Sequence, residues 1–132
     1  MTLAIETRPA VLVVEDDALI REIVCDMLEG ASFDVVSVGS TQSALTVLDS
    51  GVRIDAAFVD VDLGDRGGGY IVARHARETR PDLTVIYTSG GPQENFARER
   101  VENSAFVPKP YLPSRVRALL EAAVREAELL PH

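Results

Sequence analysis

Tryptophan is absent from the 132 residues, cysteine occurs once, and aromatics make up 5%. Each shortage excludes something. A lone cysteine, Cys25, cannot close an internal disulfide, so a packed core must hold the fold, and a cytoplasmic address fits. No apolar run is long enough to span a bilayer. The segment from Met1 to Pro9 lacks the basic region and apolar stretch of a signal peptide. Positive charge is also short: 13 basic residues face 21 acidic ones, a net charge of −8. That balance argues against a nucleic-acid binder, which needs a basic face toward phosphates. It suits a site for a divalent cation, although acidic surfaces also serve solubility alone. The scarcest basic residue is lysine. Lys109 is the single one, set between Pro108 and Pro110, and every other basic residue is arginine. A lysine kept in an arginine-using chain points to a role for a compact ammonium. An arginine-rich composition with one chance lysine is the bland alternative.

What is present is ordinary for a globular chain: 46% hydrophobic and 26% charged residues. The length fits a single domain, residues 1–132 with a core of about 9–125, large enough to bury a sizeable interior. Apolar runs of three to six residues alternate with helical patterns. Ala10 to Val14, Val35 to Val38, Ala56 to Val61, Leu83 to Thr88 and Ala105 to Val107 read as buried strands. The first helix carries Leu19, Ile20, Ile23, Val24, Met27 and Leu28 on one face, with Gly30 as its stop. Ser40 or Thr41 caps a second helix that closes near Gly51. Tyr70 to Arg80 is a third, ended by Pro81-Asp82, and Gln93 to Asn103 a polar fourth. Pro113 or Ser114 opens the fifth, with Val116, Leu119, Leu120, Ala123 and Val124 inward. Strands alternating with helices predict an α/β fold: a doubly wound, five-stranded parallel sheet in the order 2-1-3-4-5, helices on both faces.

In such a sheet, ligands bind beyond the carboxyl ends of the strands. Those ends carry Glu15 and Asp16, Asp60, Ser89, and Lys109. Crowded carboxylates repel, and a hard cation such as Mg²⁺, which takes oxygen ligands, relieves them. Asp60 stands at the end of a rigid strand and is a candidate nucleophile, since carboxylates form acyl-phosphates. Ser89 and Lys109 are candidates to bind the oxygens of an incoming phosphoryl group. The bland reading of Asp60 is a strand-ending aspartate in a turn. His75, on the third helix, has no partner motif and is read as a surface residue. The glycines from Gly64 to Gly69 lack the Lys-Ser or Lys-Thr of a phosphate-binding loop and are read as a flexible turn.

Taken together, Val11 to Asp17, Asp60 with Leu63, Gly64 and Gly69, Thr88-Ser89-Gly90, and Lys109-Pro110-Tyr111 resemble a response-regulator receiver domain of the chemotaxis-regulator type, over nearly the whole chain. The resemblance implies Asp60 as phosphoacceptor. It implies Mg²⁺ held by Asp16, Asp60 and the backbone carbonyl of Asp62, with Glu15 helping through water. It makes Ser89 the hydroxyl switch, Phe106 the aromatic switch, and the Lys109-Pro110 bond cis. It implies a sensor histidine kinase or histidine phosphotransfer protein as donor. Output would pass to another protein through the face of helix 4, strand 5 and helix 5. It implies a stand-alone switch with self-catalysed phosphorylation and dephosphorylation, no nucleic acid, no membrane, and a monomer or a phosphorylation-dependent dimer. Three departures stand out: Glu15 replaces the more usual aspartate, the loop from Asp60 to Gly69 is about one residue longer than in the commonest receivers, and the segment from Ser89 to Lys109 is short, which implies an abbreviated or mobile helix 4. Two other functions compete. Asp60-Val61-Asp62 also matches the two-aspartate signature of haloacid dehalogenase-like phosphatases, with Asp62 as acid/base. A docking module that has lost the chemistry is the third.

Overall fold

The computed structural model describes residues 8–64, 67–92 and 94–129. The expectations for the N-terminal segment up to residue 7, for residues 65–66 of the Gly-rich turn and for the start of the fourth helix at Gln93 lie outside the described residues. The apolar runs become β1 (Ala10–Val14), β2 (Asp34–Val38), β3 (Ala56–Asp60), β4 (Thr84–Ser89) and β5 (Ser104–Pro108). They form one sheet in the order β2-β1-β3-β4-β5, and every pairing is parallel. The expected doubly wound fold is the observed one. Between the strands run α1 (Ala18–Gly30), α2 (Thr41–Asp49), α3 (Gly68–Thr79), α4 (Phe96–Glu99) and α5 (Pro113–Leu129). Among the described residues no helix is long and apolar enough to cross a membrane.

β1 and β3 are buried at every position, so both faces of the central sheet must be covered. Alternation divides the strands between two cores. Leu12, Val14, Ala57, Val59, Val85 and Tyr87 pack toward α2 and α3. Val11, Val13, Ala56, Phe58, Ile86 and Val107 pack toward α1 and α5. Each fully buried Val, Leu, Ile or Phe among them contributes about 1.5–3 kcal/mol. The two cores therefore fix strand register, and register fixes what stands at the strand ends.

Three local expectations need correction. On α1, Leu19 and Ile23 are 66% and 48% exposed, while Val24, Cys25 and Leu28 are buried. The apolar stripe is wider than the contact, and Cys25 takes an inward place; burial pushes its thiol pKa up, as for an inert packing cysteine. Gly30 is the last helical residue rather than the stop. The left-handed position falls at Ser32, with φ 72°. The fourth helix is a single turn of four residues. Its flanks, Glu94, Asn95, Glu102 and Asn103, offer no apolar stripe to bury, and Arg100 is already extended.

Candidate functional site

The same alternation that sorts the core sorts the site. Glu15 follows Val13 by two residues, Asp60 follows Phe58 by two, and Lys109 follows Val107 by two. All three continue the sheet face that packs on α1 and α5. Pairing of Val13 with Phe58 brings Glu15 and Asp60 side by side. Lys109 reaches across from β5. Its Nζ donates to Asp60 Oδ2 at 2.7 Å and to Glu15 Oε1 at 3.2 Å. Glu15 Oε2 lies 3.1 Å from the same nitrogen but makes no hydrogen bond. The Lys109-Pro110 peptide is cis, as expected.

Glu15 and Asp60 are 2% and 4% exposed. Burial pushes the Glu15 carboxyl above its ordinary 4.5; the Lys109 hydrogen bond pulls it down, and the Asp60 charge pushes it up. One ammonium shared by two carboxylates does not fully repay the burial of Glu15. Burial also works against the Lys109 ammonium, yet its hydrogen bonds to Asp60 and Glu15 and their charges together outweigh that and hold its pKa above 10.5. Asp16 is exposed at the rim. One oxygen each from Glu15, Asp16 and Asp60 fall within 4.8 Å of one another. Three carboxylates against one ammonium leave two negative charges, which matches a divalent cation with oxygen ligands. The donor set fits Mg²⁺.

Backbone packing holds these groups. Asp60 Oδ1 accepts from the Asp62 N–H at 3.1 Å. Gly69, in the first turn of α3, lies on the Asp60 backbone: a Cβ there would stand 2.2 Å from the Asp60 carbonyl oxygen. Its N–H donates to the Val61 carbonyl at 2.9 Å. Asp17 is spent as the N-cap of α1, accepting from Leu19 and Ile20. Arg21 was not singled out by the sequence, yet its Nη1 donates to the Glu15 carbonyl at 2.7 Å and braces the loop after β1. Nothing in the spacing marks it, since one arginine among many on a helix carries no signal.

Ser89 and Phe106 belong to the opposite face. Ser89 follows Tyr87 by two residues, and Phe106 packs with Tyr87 in the core under α2 and α3. Ser89 Oγ donates to Asp62 Oδ2 at 3.4 Å and accepts from the Gly91 N–H at 3.1 Å. Phe106 stacks edge-on against Phe96 at 5.1 Å, and Phe96 against Tyr87 at 5.6 Å. The Val101 N–H, just after α4, donates to the buried Tyr87 hydroxyl at 3.2 Å. Asp62 is exposed, and its other oxygen accepts from the Gly67 N–H at 3.5 Å. His75 lies away from the site. It is half-buried, with Nε2 2.6 Å from Asp49, rather than free in solvent.

A sequence profile described as "Response regulator receiver domain" matches residues 11–121. The chain is 33% identical over 119 residues to the phosphate regulon transcriptional regulatory protein PhoB of Escherichia coli, covering 87% of this chain and 51% of that protein. It is 32% identical over 101 residues to the sensor protein TorS of the same organism, covering 75% of this chain and 11% of TorS. It thus spans from about a tenth to about half of these relatives. The crystal structure of a response regulator receiver protein from Sinorhizobium medicae superposes with a TM-score of 0.84 at 27% identity, covering 89% of this chain and 95% of that one. A profile spanning this much of the chain leaves no place for the phosphatase reading of Asp60 and Asp62. The chain belongs to the response-regulator receiver domains, the signalling switches of two-component systems.

Proposed function

We propose that this domain, over a core of about residues 9–125, accepts a phosphoryl group on Asp60 and thereby switches a protein-binding face. The observation that carries this is the setting of Asp60: a buried carboxylate at a strand end, with Lys109 Nζ 2.7 Å from one oxygen and Glu15 and Asp16 beside it. The donor is a sensor histidine kinase or a histidine phosphotransfer protein in the cytoplasm. An Asp60 oxygen attacks phosphorus, the P–N bond of the donor phosphohistidine breaks, and its electron pair returns to the imidazole, which takes up a proton. Lys109 and Ser89 bind the phosphoryl oxygens; each such contact, aimed where charge develops, is worth about 10²–10³ in rate. Asp16, Asp60 and the Asp62 carbonyl, with Glu15 through water, would hold Mg²⁺, which would supply charge neutralisation for the transferring group. Hydrolysis of the acyl-phosphate by water resets the domain.

The same event drives the switch. Ser89 gives up Asp62 Oδ2 for a phosphoryl oxygen. Phe106 then exchanges its place against Phe96 for an inward one, which remodels the α4–β5–α5 face. The test is incubation with acetyl phosphate and Mg²⁺, read by intact mass. The wild type gains one phosphoryl group; Asp60→Asn, or wild type in chelator, gains none. Equal labelling of Asp60→Asn would remove Asp60 from the role.

A further inference from the structure

Three side-chain atoms among the described residues are buried without a hydrogen bond: Glu15 Oε2, Thr88 Oγ1 and the Tyr111 hydroxyl. Buried polar atoms are nearly always paired, so each calls for an explanation. Tyr111 packs in the core under α1 and α5, its ring edge-on to Phe58 at 5.4 Å. Phe58 is the residue below Asp60 on that face and pairs with Val13, the residue below Glu15. Tyr111 therefore stands beneath the heads of β1 and β3. It also follows Lys109 by two residues, so the group that holds Glu15 and the unpaired hydroxyl come from one short turn. Glu15 is an acceptor with one oxygen unserved; Tyr111 is a donor with nothing to serve.

We propose that Tyr111 is a positioning residue for the phosphorylated state: its hydroxyl takes over Glu15 when the Lys109 ammonium turns to the phosphoryl group. This rests on the phosphoacceptor reading of Asp60. In the resting protein Lys109 is the only cationic partner of the Glu15 carboxylate among the described residues. Its departure would leave Oε1 with the Asp17 N–H at 3.1 Å and the buried Oε2 with no donor from the protein, at the desolvation cost of that oxygen. A hydroxyl supplies the missing donor without adding charge. Burial pushes the Tyr111 hydroxyl up to about 12, and the Glu15 charge is the next cause, so it remains a donor. Thr88 offers the rival arrangement, in which the tyrosine serves the threonine instead.

The test uses the full chain as wild type, Tyr111→Phe, Glu15→Ala and the double variant. One readout is Mg²⁺ affinity of the resting protein by calorimetry. The other is binding of beryllium fluoride, a stable stand-in for the phosphoryl group, by fluorine NMR in Mg²⁺. Tyr111→Phe keeps the ring, the fold and the resting Mg²⁺ affinity within about twofold, yet binds beryllium fluoride about tenfold more weakly, the effect of one hydrogen bond to a charged group. In the Glu15→Ala background, which removes the acceptor and where binding remains measurable because Glu15 is proposed to act through water, the same change has no further effect. Unchanged binding by Tyr111→Phe would overturn the inference. So would a tenfold loss that persists without Glu15, which would mean packing or Thr88. A wild type that takes neither probe nor phosphoryl group would sink the Asp60 reading itself, and so is told apart from failure of this step alone.

Discussion

Replacing Gly69 with alanine adds one methyl group where the structure has no room for it. The new Cβ would stand 2.2 Å from the Asp60 carbonyl oxygen, 2.7 Å from Val61 Cα and 2.9 Å from the Asp60 carbonyl carbon. All three are backbone atoms, so no side chain can swing away. Restoring ordinary contact requires α3 or the end of β3 to retreat by about 1 Å, given favourable separations near ~3.5 Å. Overpacking of this kind costs about 1–3 kcal/mol. Alanine recovers about 1 kcal/mol through its helix propensity. The net loss is then about 0–2 kcal/mol, read as a lower denaturation midpoint. The larger effect is on chemistry. A shift of about 1 Å at Asp60 costs on the order of 10²-fold in rate. Acetyl phosphate labelling should slow by that order while the far-ultraviolet spectrum stays native. Gly51→Ala is the control: φ is +78° with nothing within 4 Å, far from Asp60. It should cost about 1 kcal/mol through the left-handed conformation and leave labelling unchanged. Gly69→Ala labelling at the wild-type rate with wild-type stability would refute the packing account.

Tyr87→Phe deletes the hydroxyl that accepts from Val101 N–H and should cost about 1–2 kcal/mol. Amide exchange should quicken at residues 96–101 while β1 and β3 stay protected. All three tyrosine hydroxyls have raised pKa values, with burial the largest cause for each. A raised folded-state value means the neutral form is favoured: its stability is fully present below 10 and is lost as pH rises through the folded values. Ultraviolet titration should therefore show tyrosinate appearing later in the folded protein than in urea, and the denaturation midpoint falling above pH 10. Glu99 behaves in the opposite sense. Arg74 holds its carboxyl below 4.5, so the tie between α3 and α4 is present above that value and lost as pH falls. Amide exchange at α4, corrected for its intrinsic pH dependence, should rise on acidification below pH 4.5.

Much of this was legible in the chain because the signal was local. Ala-Val-Leu-Val-Val at β1 and Ala-Ala-Phe-Val at β3 are too apolar and too short for anything but covered strands. Their ends then had to meet, which is why Glu15, Asp60 and Lys109 could be grouped before any coordinates. What escaped was set by tertiary choice. Leu19 and Ile23 look inward by periodicity, but α5 and the sheet bury only the neighbouring stripe. The fourth helix shrank to one turn because its fixed points, Phe96 on Tyr87 and Val101 on the Tyr87 hydroxyl, lie at its ends rather than along one face. Arg21 braces Glu15 from six residues away across the loop before α1, and Tyr111 packs on Phe58, distant in sequence; no spacing rule encodes either contact. The Ser89 hydroxyl was expected to face the phosphoryl site; its resting partner, Asp62, became visible only with the loop in place.

The assignment of site residues to opposite faces of one sheet has a further consequence. Glu15, Asp60 and Lys109 rise from the core beneath α1 and α5, while Ser89, Tyr87, Phe96 and Phe106 belong to the core beneath α2, α3 and α4. On the proposed reading, the sheet is thus a partition, with the phosphoacceptor and its lysine rooted on one side and the hydroxyl and aromatic switch residues on the other, joined at a narrow bridge of β3, its following turn and β4. A protein seated over α1 leaves the α4 side uncovered. On the proposed reading, sequence change beneath α1 bears first on how readily the domain is charged, and change beneath α4 on how far that wall moves when it is.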